Sequence, residues 1–512
     1  MGGINLYLRK FILSLLVVAT LISTSAGCGG NVKNNDSSKS SVKANSSESL
    51  SDSSEDSLSS IVESLSESTT ESKTDSQTSK VSSKSSVTSS RRPAASTVSA
   101  AGDNKNMQGY EFVLGTIWGG SWIPSDNSSS DVKALADVYK GIEKELNCKI
   151  TLKALTPSTL TTQVAKAYQA GAKFADAVEL SPYYFYNMVQ NNFFIPVSDS
   201  PVINIKDEKW IESSKAFSTY NGKVYGLSWT TKILTSSARI GLFFNKTMMS
   251  QFGMGDLYQV VKDKKWTFSK FEETLGTVAE KSGGNVKGLA AYDLISIGQY
   301  FANANAGGFV SEKGGKYSFV GASNETVNGI EAVRKWYKNG WIRDTGKDSF
   351  TNVVVKEFVD GKVFSIIADY YYANRFFKSK MKQDYGILPL PMGPAAKQYY
   401  GIYDEGRFFA LMDTADRDKC VTIFNKLSDK TWMKDWKSNA LKNDLRDSES
   451  VDMVEINMNN PKICLLTQLS DLKYNVVGGA IEKSIKQGST AGNMSGVLTQ
   501  SQTWLNDMFQ QK

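Results

Sequence analysis

Histidine is missing from all 512 residues. That absence removes much chemistry at once. Ser-His-Asp and Cys-His nucleophile systems need an imidazole base. HExxH zinc hydrolases and most imidazole metal sites need it too. Cysteine is nearly as scarce: Cys28, Cys148, Cys420 and Cys464 lie far apart and form no CxxC pair. Beyond Cys28 three remain, so at most one disulfide forms, and buried free thiols are the simpler expectation. There is no GxxxxGK[ST] phosphate loop. The formal net charge of +7 comes without a concentrated Lys/Arg tract, so nucleic acid is not an expected partner. No cofactor or metal is implied. The enzymology that survives is carboxylate chemistry, such as glycoside hydrolysis.

Aromatic residues are also absent between Gly30 and Gly109, where serine and charges of both signs dominate. Such a stretch buries too little apolar area to offset its chain entropy, so residues 28–104 are expected to be a disordered tether. About 75 flexible residues have an r.m.s. reach of about 45–50 Å. Ahead of the tether, Arg9 and Lys10 precede an apolar stretch from Phe11 to Ile22 and then small residues. This is the three-part pattern of a secretory signal peptide, expected over 1–27. A spanning helix needs about twenty apolar residues, more than this stretch has. Ser25-Ala26-Gly27-Cys28 resembles the lipobox of bacterial lipoproteins, with Ser25 where leucine is usual. The resemblance implies lipidation of Cys28 and a membrane held through that anchor. The alternative is an ordinary signal peptide with a chance cysteine. By analogy, a tether of this length suits a Gram-positive cell surface.

The remaining residues, 105–512, are rich in Trp, Tyr and Phe and long enough for two lobes. "EFVLGTIW" (111–118) reads as a buried strand running into the loop "GGSWIPSDNSSS". "DVKALADVYKGIEKELNC" has helical spacing that puts Ala134, Leu135, Val138, Ile142 and Leu146 on one face. "KITLKAL", "LTTQVAKAYQAGA" and "ADAVEL" continue as strand, helix and strand. This alternation predicts an α/β fold with a largely parallel sheet.

Two places share one local pattern. After "FADAVEL" come Ser181, Pro182, Tyr183 and Tyr184; after "KVFSIIA" come Asp369, Tyr370, Tyr371 and Tyr372. Serine and aspartate are good N-caps, and proline suits the first helical position. In each case a strand ends, a cap starts a helix, and tyrosines fill its first turn. Ligands of open α/β sheets sit beyond the carboxyl ends of the strands. Successive helical side chains are about 100° apart, so Tyr370, Tyr371 and Tyr372 cannot all enter the core.

A wider resemblance now joins these pieces. "FADAVELSPYYFYNMVQNNFFIPVSD", "YNGKVYGLSW" followed by "IGLFFNKTM", "KKWTFSKFEETL", "FVDGKVFSIIADYYY", "YGILPLPMGP" and "GRFFALMDTADRDKCVTIFNKLSD" run in the order of family 1 extracellular solute-binding proteins. These are the maltose-binding-protein-like subunits of sugar ABC importers. "TTKILTSSARI" is longer and more polar than the family pattern, and the match fades beyond Ser438. The resemblance implies a two-lobe periplasmic-binding-protein-like fold with the ligand between the lobes. Lobe one would be about 108–228 plus 400–440, and lobe two about 229–399 plus 441–512.

It also implies a function: a lipid-anchored extracellular protein that captures a carbohydrate, an oligosaccharide by its aromatic wealth, and delivers it to ABC permease subunits. Rings stack on the C–H faces of sugars, while Asp, Glu and Arg meet the hydroxyls. The family pattern places Trp118, Trp122, Tyr183, Tyr184, Trp229, Asp369, Tyr370, Tyr371, Tyr372, Tyr403, Asp404, Glu405 and Arg407 at the ligand. Each has a structural alternative. Trp118 and Trp229 suit strand-end or hinge packing, one of Tyr183 and Tyr184 suits the space under its helix, and Asp369 suits a cap alone. Tyr371 is the first choice among the three tyrosines. Two rival functions remain open: a surface glycoside hydrolase with paired carboxylates, or a same-fold binder or sensor of peptides or polyamines.

Overall fold

The computed structural model describes residues 106–231, 240–403, 407–413, 416–469 and 472–509. Cys28, the signal peptide and the Ser-rich stretch lie outside these residues, as do Asp404 and Glu405. The strands that organise the fold are β1 (Tyr110–Thr116), β2 (Cys148–Ala154), β3 (Ala177–Leu180), β4 (Gly226–Leu227), β5 (Ile240–Asn245), β6 (Lys287–Ala290), β7 (Val363–Asp369), β8 (Tyr385–Leu388) and β9 (Phe408–Leu411). They form two sheets, β2-β1-β3-β9-β4 and β8-β5-β7-β6. Helices flank both, including α1 (Ser130–Leu146), α2 (Leu160–Gln169), α3 (Pro182–Val189), α4 (Leu294–Ala304), α5 (Arg417–Thr431) and α6 (Ser448–Asn459). Each sheet is the spine of one lobe. Among the described residues no helix is long and apolar enough to cross a membrane.

Local chemistry accounts for much of this. Ser129 caps α1 by accepting from the Val132 amide, and Asn147 ends it in the left-handed region. The buried stripe of α1 is Val132, Leu135, Tyr139, Ile142 and Leu146, so the expected face is rotated and Ala134 is exposed. Tyr139 explains the rotation. Its ring is buried while its hydroxyl donates to the Trp122 carbonyl at 2.8 Å, so a half-polar residue takes an inner position. The "YNGK" motif is a hairpin turn, with Asn221 and Gly222 both at positive φ between paired Thr219–Tyr220 and Lys223–Val224. Gly226 is required by a close approach: a Cβ there would sit 2.2 Å from the Phe408 ring.

Strand directions define the working edge of each sheet. β1, β2 and β3 are parallel, while β9 runs against β3 and β4 runs against β9. The ends of β1, β3 and β4 and the start of β9 therefore share one edge. In the second sheet β7 is parallel to β6 and antiparallel to β5, with Asp369 paired to Ile240. β8 also runs against β5, so the ends of β6, β7 and β8 and the start of β5 share one edge. The chain leaves the first edge after β4 and enters the second at β5. It leaves the second after β8 and returns to the first at β9. Both crossings join these two edges, and the chain passes to the second lobe once more between α5 and α6, which makes the edges the two sides of one crevice.

The far end of the second lobe is held by charge. Asp447 caps α6 by accepting from the Ser450 amide at 2.7 Å and pairs with Lys246 at 2.7 Å, while Tyr258 shares its hydroxyl with Ser450 at 2.9 Å. Burial opposes the Asp447 charge, but the hydrogen bonds from Lys246 and Ser450 outweigh it and hold the carboxyl below its usual value. A depressed carboxyl stabilises the fold above its unfolded pKa, and that contribution fades as pH falls through the folded value, below about pH 4. Asp447→Ala is expected to cost about 2 kcal/mol, since a cap and one arm of an ion pair go while Asp384 still faces Lys246. Urea unfolding at pH 7 measures that cost. The gap between variant and wild type should narrow below pH 4.

Candidate functional site

The first edge is built around a buried carboxylate. Glu179, on β3, is fully buried on the same face as Ala177, among Trp122 and Trp229. Its Oε1 accepts from Trp122 Nε1 at 3.0 Å, and its Oε2 accepts a short hydrogen bond from the Thr116 hydroxyl. Thr116 Oγ1 in turn accepts from the Trp118 amide at 2.9 Å. Burial raises the Glu179 carboxyl above its ordinary value, and Arg407, Thr116 and Trp122 offset only part of that rise. Arg407 lies over the half-buried Trp118 ring, 4.1 Å from its centroid, and reaches Ser121 Oγ at 3.5 Å. The expected strand to Trp118 thus stops at Thr116, where the side chain takes over the hydrogen bonding. Trp118 and Arg407 form a half-open cation–π pair beyond the strand ends.

Trp122 and Trp229 are placed beneath that pair, at 2% and 1% exposure. Their rings meet edge to face at 5.7 Å, and both pack on Phe409, at 5.0 and 5.3 Å. Trp229 Nε1 donates to Thr431 Oγ1 at 2.8 Å.

At the second edge Asp369 ends β7, and its Oδ1 accepts from the Tyr371 amide at 2.7 Å. Helical residues 371–380 follow, with a wide π turn at Ala373–Lys378. Such turns recur at functional sites. The three tyrosines divide as helical geometry requires. Tyr370 and Tyr372 are 2% and 7% exposed, and Tyr371 is 42% exposed. Tyr372 packs edge to face on Phe350 and shares a hydrogen bond with Thr351 at 3.0 Å. Tyr371 faces outward with the Arg375 guanidinium 5.3 Å from its ring centroid and donating to its hydroxyl.

The other sequence-derived candidates scatter more. Ser181 stands at the N-cap of α3 without a side-chain cap bond, and Pro182 opens the helix. Tyr184 is half-buried against the core. The Tyr183 side chain is outside what the structure describes. Tyr403 is 2% exposed and lines a pocket of about 320 Å³ with Trp210, Thr230, Trp432, Trp436 and Met458, against the segments that cross between the lobes. Cys148, Cys420 and Cys464 are free thiols. Among the described residues no group of three or more Cys, Asp or Glu is placed to hold a metal.

Arg375, the partner of Tyr371, escaped the sequence reading, as did Glu179 and Tyr474. Glu179 could have been found as the lone charge in the apolar end of the strand "ADAVEL". Tyr474 is 57% exposed, on the π turn Lys473–Val477. That turn leads into Gly478, where a Cβ would meet Ile295 of α4 at 3.0 Å, just past the end of β6. Tyr474 lies beyond Ser438, where no motif marks it.

Comparison with known proteins agrees with this architecture. The sequence profile of the bacterial extracellular solute-binding proteins matches residues 125–424. The maltooligosaccharide ABC transporter solute-binding lipoprotein of Streptococcus pneumoniae is 25% identical over 299 residues, or 54% of this chain and 63% of that relative. The match therefore spans less than two thirds of the relative's length. Among solved structures, a sugar-binding protein from Xanthomonas citri aligns with TM-score 0.58 at 13% identity, covering 78% of this chain and 100% of its own. A cyclic α-maltosyl-1,6-maltose binding protein from Arthrobacter globiformis also gives 0.58, at 12% identity, covering 79% and 100%. At such identities the structural likeness speaks for the fold alone.

Proposed function

Because the chain belongs to the bacterial extracellular solute-binding protein family, we propose that it captures an oligosaccharide between its lobes and delivers it to ABC permease subunits. One observation carries the reading. Two sheet edges, joined by the chain crossings, each carry an accessible aromatic ring paired with an arginine: half-buried Trp118 with Arg407, and outward Tyr371 with Arg375. The rings suit the C–H faces of sugars and the guanidinium donors suit hydroxyls. The sugar class follows the name of the Streptococcus pneumoniae relative.

Trp118, Tyr184 and Arg407 are the proposed contacts on the first lobe, with Asp369, Tyr371 and Tyr474 on the second. Tyr183, Asp404 and Glu405 complete the set. Trp122, Trp229, Tyr370, Tyr372 and Tyr403 are proposed to support these residues from below. A ligand that touches both edges only when they approach favours the closed state, so closure is a population shift. Lipidation at Cys28 would hold the protein at the outer face of a bacterial, Gram-positive membrane.

The described edge carboxylates favour binding over hydrolysis. Glu179 is buried and engaged by Thr116 and Trp122, and Asp369 caps its helix. A thermal-shift screen of maltooligosaccharides, peptides and polyamines tests the ligand class. A saccharide at a hundredfold excess over Kd should add about 2.7 kcal/mol of stability. A shift with a peptide or polyamine alone would overturn the substrate class, and consumption of a glycan during the assay would overturn the binding role.

A further inference from the structure

We propose that Glu179 is the positioning residue of the first edge: it brackets the loop that carries Trp118 and so sets the Trp118–Arg407 pair against the sugar. The inference rests on the sugar-binding reading for its ligand, though not for its geometry. One carboxylate grips both ends of residues 117–121. It takes the Thr116 hydroxyl at the start and the Trp122 indole N–H, at 3.0 Å, at the end. Between them the Trp118 amide is tied to Thr116 Oγ1 at 2.9 Å, and the helical turn Gly119–Trp122 begins with the Ser121 amide donating to the Trp118 carbonyl at 2.9 Å.

The donor count makes the role specific. An indole N–H only donates, and the Thr116 hydroxyl, already accepting from Trp118, has its proton left to give. Glu179 must therefore accept twice. A carboxylate does so with its two oxygens. Glutamine of the same shape can keep the indole bond only by turning its NH₂ toward the Thr116 hydroxyl, which reverses that hydrogen bond and sends the hydroxyl proton to a different acceptor. An apolar side chain here would leave the buried Trp122 N–H and Thr116 hydroxyl without their acceptor.

The test compares wild type with Glu179→Gln, Thr116→Val and Thr116→Ser. Amide hydrogen exchange at Trp118 and the indole N–H resonance of Trp122 are read without ligand, and maltotetraose affinity by calorimetry. Glu179→Gln should shift the Trp122 resonance, speed Trp118 exchange at least tenfold and weaken maltotetraose at least tenfold. Its melting temperature should move by no more than about 3 °C. Thr116→Val should act alike, and Thr116→Ser, which keeps the hydroxyl, should behave as wild type. Unchanged exchange in both Gln and Val variants overturns the positioning role. Faster exchange with undiminished affinity overturns its bearing on ligand. Should Glu179→Gln fail to fold, the contrast between Val and Ser at Thr116 decides the same point. A wild type that ignores maltotetraose sinks the sugar reading, while the exchange and resonance data still decide whether Glu179 holds the loop.

Discussion

Trp229→Ala is expected to remove about 3–5 kcal/mol of stability, the range for emptying a large aromatic site in a packed core. The indole sits at 1% exposure among Trp122, Trp210, Phe409 and Phe424, with ring centroids 5.3 to 5.9 Å apart. Its N–H also satisfies Thr431, so truncation leaves that hydroxyl without its donor. Trp229 closely follows β4, where the chain leaves for the second lobe, so loss of packing there should loosen the crossing as well. Chemical denaturation would show a lower midpoint for the variant. A stability within about 0.5 kcal/mol of wild type, the range of a neutral surface change, would mean that the ring is not the support assigned to it.

Tyr371→Ala is expected to do the reverse: little change in stability, and a ten- to hundredfold loss of saccharide affinity. The ring is 42% exposed and contributes little to the core, so its removal leaves folding nearly untouched. A sugar ring stacked on an aromatic face loses about 1–3 kcal/mol when that face is removed, the scale measured for flat ligands on aromatic side chains. Tyr372→Ala is the control. Its buried ring is locked to Phe350 and Thr351, so that variant should lose stability. If Tyr371→Ala binds as wild type does, the outward tyrosine has another purpose.

The parts of the fold that depend on local rules were legible in the amino-acid order. β1, α1 and β3 lie within a few residues of their expected bounds, because period and capping are local properties. The tyrosine run also followed from helix geometry: three successive residues cannot share one face, and Tyr371 is the one left outside. Depth was not legible. Trp118 and Trp122 stand at the cap and the last residue of one helical turn, four residues apart, yet one ring is half-open and the other fills the core, where Glu179 accepts from the second indole. That capture joins residues 57 apart in sequence, which no short window displays. Tyr474 was hidden for a related reason. The π turn that carries it runs into Gly478, which packs on Ile295, and its N-terminus has no side-chain cap to announce it.

The most direct test of capture without turnover is a calorimetric titration of maltotetraose into the purified chain, with the sugar recovered afterwards and its length checked. Saturable binding with one-to-one stoichiometry, intact maltotetraose on recovery, and weakened binding in Tyr371→Ala are the expected results. No heat with any maltooligosaccharide, or recovery of shortened sugar, would contradict the role proposed for this protein.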